Sequence, residues 1–307
     1  MKSILVFGSI NMDLVTRTPR LPVAGETLQG HEFFTVPGGK GANQAVAVAR
    51  LGIPTQMVGR VGNDEFGRQL LAGLQATGMQ LDGILQDKTT RSGIAVITVD
   101  DAGENNIIVI SGANGQIDQT DVERLSRQLP GAAALLMQLE IPLPVVQLAA
   151  QAAHLAGVSV ILDPAPAQSL PLELYPLVDI MTPNQLEASQ LVGFAVDGQE
   201  TAAQASEVLR QRGVGTVIVK LGDRGVFCAN AEEAFFVPAF PVQAIDTVAA
   251  GDAFNGALAV ALAEGRSLQE AVVWGAAAGA LCATKPGAQP SLPDRETFDT
   301  FLKEREI

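Results

Sequence analysis

Apolar and polar positions recur along this chain in two periods, and their order carries the fold. Ser3 to Phe7 is a short apolar run of strand type. A helical repeat rich in Ala and Val spans Ala42 to Leu51 and stops at Gly52. Thr55 to Val61 reads as the next strand, and Asp64-Glu65-Phe66-Gly67 opens a helix through Gln75. Past Asp118 the alternation becomes regular. A helix over 118–128 precedes a strand from Ala133 to Leu139, and a helix from Leu143 to Ala156 precedes a strand from Ser159 to Leu162. Val178 to Met181 is a further strand; helices Gln185 to Val192 and Ala202 to Arg212 then precede a strand from Thr216 to Lys220. Strands alternating with helices predict an α/β fold: a doubly wound, mostly parallel sheet with helices on both faces.

Two stretches break the pattern. Leu14-Val15-Thr16 and His31 to Val36 flank a Pro-rich loop, Pro19 to Gly25, with no helix between them. Gly93 to Val99 and Asn106 to Ile110 are rich in β-formers and joined by Asp100-Asp101-Ala102-Gly103-Glu104, a hairpin signal. Together they predict a small separate sheet over 14–36 and 93–110. The main body then comprises 1–13, 37–92 and 111–307.

In open α/β sheets, function gathers at the carboxyl ends of the strands, and there this chain places its polar chemistry. Asn11 and Asp13 lie two apart just past the first strand, so an extended backbone points both side chains one way, a pair suited to vicinal hydroxyls. Glu140, Asp163-Pro164-Ala165-Pro166, Thr182-Pro183-Asn184-Gln185-Leu186-Glu187 and Gly222-Asp223-Arg224-Gly225 each follow a strand. Any one alone reads equally as a turn or a helix cap. Pro37-Gly38-Gly39-Lys40-Gly41-Ala42-Asn43 is a glycine turn opening a helix, with Lys40 and Asn43 as donors; it has neither P-loop nor dinucleotide spacing.

The central stretch is Asp246 to Leu258, D-T-V-A-A-G-D-A-F-N-G-A-L. Ala249, Ala250 and Gly251 fall at the start of an apolar helical repeat, where free N–H groups and the helix dipole favour an anion. Asp252, in the first turn, is placed to accept a proton from a hydroxyl attacking phosphorus. Taken alone, a helix-capping aspartate fits that position as well.

Composition narrows the partners. The 307 residues are 47% hydrophobic, with a formal net charge of −13. Such an acidic chain is a poor ligand for nucleic acid or an anionic membrane, and it must hold an anionic substrate by local geometry. Two cysteines, Cys228 and Cys282, give neither a disulfide framework nor zinc spacing and suit a reducing cytoplasm. The N-terminal run breaks at Gly8 and reads as a strand, not a signal peptide. No apolar run approaches the ~18 residues of a membrane span.

N-M-D, G-G-K-G-A-N-Q-A, L-M-Q-L-E, D-P-A-P, T-P-N-Q-L-E-A, K-L-G-D-R-G, D-T-V-A-A-G-D-A-F-N-G and K-P-G-A-Q-P-S occur in this order. By these motifs the chain resembles the ribokinase/phosphofructokinase-B family of carbohydrate kinases, from Ile4 to about Phe301. The two glycine motifs are specific to the family; L-M-Q-L-E and G-A-Q-P-S point to its ribose-phosphorylating members. The resemblance implies ATP-dependent phosphorylation of D-ribose at the 5-hydroxyl, with the small sheet as a lid and a homodimer formed through it. It implies that Asn11, Asp13, Gly39, Lys40, Asn43 and Glu140 bind the sugar, and that Asp252 is the general base. Ala249, Ala250 and Gly251 would form the anion hole. Asn184, the loop Lys220-Leu221-Gly222-Asp223-Arg224-Gly225, Gly251 and Ala276 would hold ATP, and Glu187 would organise magnesium (Mg2+) through water. Potassium (K+) would lie on Asp246, the carbonyls of Val248, Cys282, Lys285 and Gly287, and Ser291. Ala249 stands where many relatives carry Gly, which requires φ below zero or some strain. Ala276 replaces a larger polar residue common near adenine. The rival readings are a family kinase for deoxyribose, a nucleoside or a ketose, and a sugar-binding protein that lost the chemistry. A nicotinamide-dependent oxidoreductase is a third, disfavoured by the missing dinucleotide fingerprint.

Overall fold

The structure, a computed structural model, describes residues 2–305. Met1, Glu306 and Ile307, assigned above to the main body, lie outside the described residues. The chain opens with β1 (Ser3–Phe7), β2 (Asn11–Thr18), β3 (Glu32–Gly38), α1 (Lys40–Arg50), β4 (Thr55–Gly62), α2 (Glu65–Ala76) and β5 (Ile84–Asp87). It continues through β6 (Gly93–Asp100), β7 (Asn105–Ile110), α3 (Gln119–Ser126), β8 (Ala132–Met137), α4 (Leu143–Leu155), β9 (Ser159–Leu162) and β10 (Ile180–Met181). Then come α5 (Gln185–Val192), α6 (Gln199–Gln211), β11 (Thr216–Lys220), β12 (Gly225–Ala229) and β13 (Ala234–Pro238). The chain closes with α7 (Ala250–Ala263), α8 (Leu268–Cys282), the short α9 (Ala288–Ser291) and α10 (Arg295–Lys303).

Among the described residues the large sheet has strand order β13-β12-β11-β10-β9-β8-β1-β4-β5. Neighbours from β11 to β5 run parallel, while β12 and β13 form an antiparallel edge. The doubly wound expectation therefore holds. The edge hairpin β12–β13 and the four-residue β5 were not expected, because both are short and hidden beside glycine-rich or polar turns. Successive side chains of β1 face opposite cores, as strand pleating requires. Ile4 and Val6 pack with α1, α2, α7, α8 and α10, and Leu5 and Phe7 pack with α3 to α6.

Strand β1 sits between β4 and β8, and the sheet is wound outward from it in both directions. That reversal leaves a crevice beyond its carboxyl end, the position where open α/β sheets bind ligands. Helix α7 is fixed over this crevice by close packing on α1. A methyl at Gly256 would sit 2.5 Å from Ala47 Cβ, so glycine sets the spacing between the helices that carry the site.

The small sheet has order β3-β2-β6-β7. It reaches further than 14–36: Asn11 pairs with both Gly38 and Gly93, so Asn11 to Asp13 and Pro37-Gly38 belong to it. The residues that turn out of β1 are thereby already strand, and the smaller sheet begins at the rim of the crevice. Its outer strand β7 leaves Ile107, Ile108, Val109 and Ile110 exposed.

Candidate active site

Two helix N-termini face each other at the crevice. At α7 the chain turns in through Ala249, a non-glycine residue at φ 62° and ψ 5°. The strain foreseen for alanine at this position is real, since the left-handed region costs a Cβ-bearing residue roughly 1–2 kcal/mol. The N–H of Ala250 bends back to Thr247 O at 3.2 Å. Those of Gly251 and Asp252 lie in the first turn, where no helical carbonyl precedes them. Of the three N–H groups expected to form the anion hole, that of Ala250 is thus already engaged, and that of Asp252 adds a donor.

At α1, Gly39 turns the chain at φ 86°, a conformation suited to glycine. Ala42 N donates to Ser9 O at 2.9 Å, and Gly41 packs on the Gly8-Ser9 backbone, where a Cβ would lie 2.6 Å from Ser9 N. This close seat aims α1 at α7. Asn43 Nδ2 donates to Asp252 Oδ2 at 2.9 Å, and Gln44 Nε2 donates to Asp252 Oδ1 at 3.1 Å. Asp252 is 4% exposed and both of its oxygens are held.

The remaining polar groups close around this pair. Glu140 accepts from Ser9 Oγ at 2.5 Å and from Lys40 N at 3.0 Å, so it caps α1 while facing the crevice. Asn11 Oδ1 accepts from Asn114 Nδ2 at 2.7 Å, which leaves its own Nδ2 as the donor available to a ligand. Asp13 lies against the bare Cα of Gly38, where any side chain would collide with its carboxylate. On the far side Lys220 Nζ donates to Asp163 Oδ1 at 3.1 Å and also lies near Gly251. Asn184 and Glu187 form a capping box at α5, each side chain accepting from the other's backbone N–H. Thr182 Oγ1 donates to Asn255 Oδ1 at 2.7 Å and ties β10 to α7.

So many carboxylates in one cleft perturb one another. Burial raises Asp252 to about 6; Lys40 opposes the rise, Asp163 adds to it, and the bonds from Asn43 and Gln44 lower it. Asp13 is pushed up to about 7 by burial, then by Glu140 and Asp252. Burial would lower Lys40, but Asp252, Asp163, Glu140 and Glu187 outweigh it and hold the ammonium above its ordinary value. Burial and Asp163 raise Glu187, against Lys220. A carboxylate titrating near 6 beside a lysine is suited to accept a proton at neutral pH.

The other candidate residues are placed as follows. Lys220 ends β11, Leu221 is buried, and Gly222 and Gly225, at φ 63° and 121°, fold Asp223 and Arg224 into a tight turn. Ala276 is half-buried on α8. It lies one turn before Gly279, which packs at Ala250 O, so it neighbours the α7 N-terminus and offers an apolar contact. Asp246 accepts from Val248 N at 3.0 Å and Gly287 N at 2.8 Å, joining the two segments expected to share a cation. Cys282 Sγ lies 3.0 Å from Ser291 Oγ, and burial pushes its thiol up to about 11. The Lys285 side chain is exposed. Ser9, Gln44, Asn114 and Gln138 were missed, because uncharged side chains at unremarkable spacing carry no signal. Asp163 stood out by its place after a strand but received no role.

A buried carboxylate at one helix N-terminus, gripped from a second and flanked by lysines, defines a site for moving a hydroxyl proton beside an anion. The chain belongs to the pfkB family of carbohydrate kinases, whose model matches residues 1–295. It is similar to the ribokinase of Haemophilus influenzae, at 42% identity over 98% of this chain and 99% of the relative. Among solved structures it is similar to Thermotoga maritima ribokinase, with TM-score 0.91 and 39% identity over 99% of this chain and 100% of that one. It is also similar to Arabidopsis thaliana ribokinase complexed with ribose and ATP, with TM-score 0.91 and 36% identity, covering 98% and 99%.

Proposed function

We propose that this chain is an ATP-dependent ribokinase, transferring the γ-phosphoryl group to the 5-hydroxyl of D-ribose to give D-ribose 5-phosphate and ADP. One observation carries the reading: Asp252 is held by Asn43 and Gln44 at the α7 N-terminus, in a chain whose full-length relatives are ribokinases. The sugar sits at the mouth between β2 and α1. Asn11, Asp13, Gly39, Lys40, Asn43 and Glu140 bind its hydroxyls, the carboxylates accepting and the amides donating. Asp252 takes the proton of the 5-hydroxyl as that oxygen bonds to the γ-phosphorus and the bond to the bridging oxygen breaks, ADP leaving. The N–H groups of Gly251 and Asp252, free in the first turn of α7, face the equatorial oxygens, where preorganised donors favour the developing charge. Lys40 steadies the negative charge shared by base and substrate. Asn184, Lys220 to Gly225 and Ala276 hold the nucleotide.

Two ions fit the donor sets. Glu187 is raised first by burial and then by its neighbour Asp163, so it would hold Mg2+ through water with its charge better matched. Mg2+, when bound, neutralises phosphate charge. Asp246, the Ser291 hydroxyl and four backbone carbonyls form an all-oxygen set with one formal charge, which suits a monovalent cation. Among the described residues no group of three or more His, Cys, Asp or Glu side chains is placed to hold a metal ion. These groups would hold K+ beside the loop that leads into the α7 N-terminus, and the bound charge would fix that loop. The main body and small sheet act as kinase domain and lid. The exposed apolar strand β7 closes a homodimer. Among the described residues no helix is long and apolar enough to cross a membrane, and the cytoplasm is the proposed compartment.

A coupled ADP-release assay on ribose, deoxyribose and nucleosides tests the function. Ribose should be preferred, and kcat/KM should fall as pH drops through about 6, because protonated Asp252 cannot act as base. Asp252→Asn should bind both substrates yet lose about 10²–10⁴-fold in kcat; retention of more than roughly a third of kcat would remove the base assignment. K+ should raise kcat with little change in ribose KM, and Asp246→Ala should lose most of that response. A flat K+ titration of the unmodified protein would place the cation elsewhere. Sedimentation should show a dimer at assay concentration; a fully active monomer would rule out the dimer through β7.

A further inference from the structure

We propose that Gln44 is a positioning residue for the transfer step, its amide locked by Gln138 and holding Asp252 in fixed register with Asp163. This rests on the reading of Asp252 as the base. Gln44 is 1% exposed, and its Nε2 lies 3.1 Å from Asp252 Oδ1 and 3.1 Å from Asp163 Oδ2. Ionised carboxylates accept and cannot donate, so the amide must turn its NH2 to both and give one N–H to each. Its Oε1 then faces away and accepts from Gln138 Nε2 at 2.6 Å.

Gln138 is itself confined. It is fully buried just after β8, and its Oε1, without a partner, presses on Gly8, where any Cβ would collide with it. A bare glycine at the end of β1 thus makes room for Gln138, which fixes Gln44, which separates two carboxylates. Asp163 is also paired with Lys220, on the loop assigned to the nucleotide. Gln44 therefore joins the proton acceptor to the cationic side of the site.

The charged and titratable groups around Asp252 come from several elements. They are Lys40 on α1, Asp13 on β2, Glu140 after β8, Asp163 after β9, Lys220 ending β11 and Cys282 on α8, with Glu187 on α5 acting through Lys40. Gln44 stands between the two carboxylates of this set that it touches. Without its donors Asp252 and Asp163 repel directly, so Asp252 protonates more readily and its oxygens are free to rotate.

The test is the pH profile of kcat/KM for the unmodified enzyme, Gln44→Leu, Gln44→Glu and Gln138→Leu, with thermal unfolding as a check on folding. Gln44→Leu should move the acid limb upward by about one pH unit. It should also lower plateau kcat by about 10- to 100-fold through misplacement of the base. Gln44→Glu, nearly the same size, should move the limb the same way, and Gln138→Leu should do so less. Should Gln44→Leu fail to fold, the other two variants still report the limb. Folded variants whose acid limb coincides with the unmodified enzyme's overturn the proposal. Asp252→Asn separates the two readings: if it stays active the base assignment fails. If it is inactive while the Gln44 limb is unmoved, the positioning role alone fails.

Discussion

The site depends on the containment of negative charge. Asp13, Glu140, Asp163, Glu187 and Asp252 converge on one crevice of a chain whose formal net charge is already −13. Such a cluster would protonate or spread apart unless opposed. The opposition is local: Lys40 near their centre, Lys220 on Asp163, the amides of Asn43 and Gln44 on Asp252, and the helix N-termini of α1 and α7. Lys40 answers Asp252, Asp163, Glu140 and Glu187 together, its ammonium held above the ordinary value against the effect of burial. The same carboxylates can bind polyhydroxylated and proton-donating ligands.

The fold supplies the convergence. Because β1 is flanked by β4 and β8, residues after it meet residues after β8 and β9 at a single edge. Glycines set the distances: Gly41 seats α1 on the Gly8-Ser9 backbone, Gly256 sets the approach of α1 to α7, and Gly38 leaves room for Asp13. The small sheet begins at this rim, so Asn11 and Asp13 belong to it as strand residues.

Much of this was legible in the sequence, for stated physical reasons. Apolar periodicity located the parallel strands and their helices, and the rule that function sits at strand ends drew Glu140, Asn184, Glu187 and Asp252 together before any coordinates. β5, half polar as I-L-Q-D, and the antiparallel β12–β13 hairpin, which no helix follows between its strands, escaped it. The small sheet was expected over 14–36 and 93–110, yet its pairing from Asn11 to Gly38 depends on partners distant in the chain. The amide network of Gln44, Gln138 and Asn114 was illegible because it is defined by geometry, not by residue type. Ala249 was flagged for its φ, and the strained value of 62° is what the structure holds.

The central claim is that Asp252 is a carboxylate that burial raises to about 6 and that Lys40 keeps from rising further. Carboxyl-selective ¹³C NMR of Asp252, resolved by comparison with Asp252→Asn, measures this directly across pH in the unmodified protein and in Lys40→Met. Asp252 should titrate at about 6 and shift upward in Lys40→Met, where the favourable charge is gone. Titration near the ordinary aspartate value of ~3.9, or no response to Lys40→Met, would contradict the account.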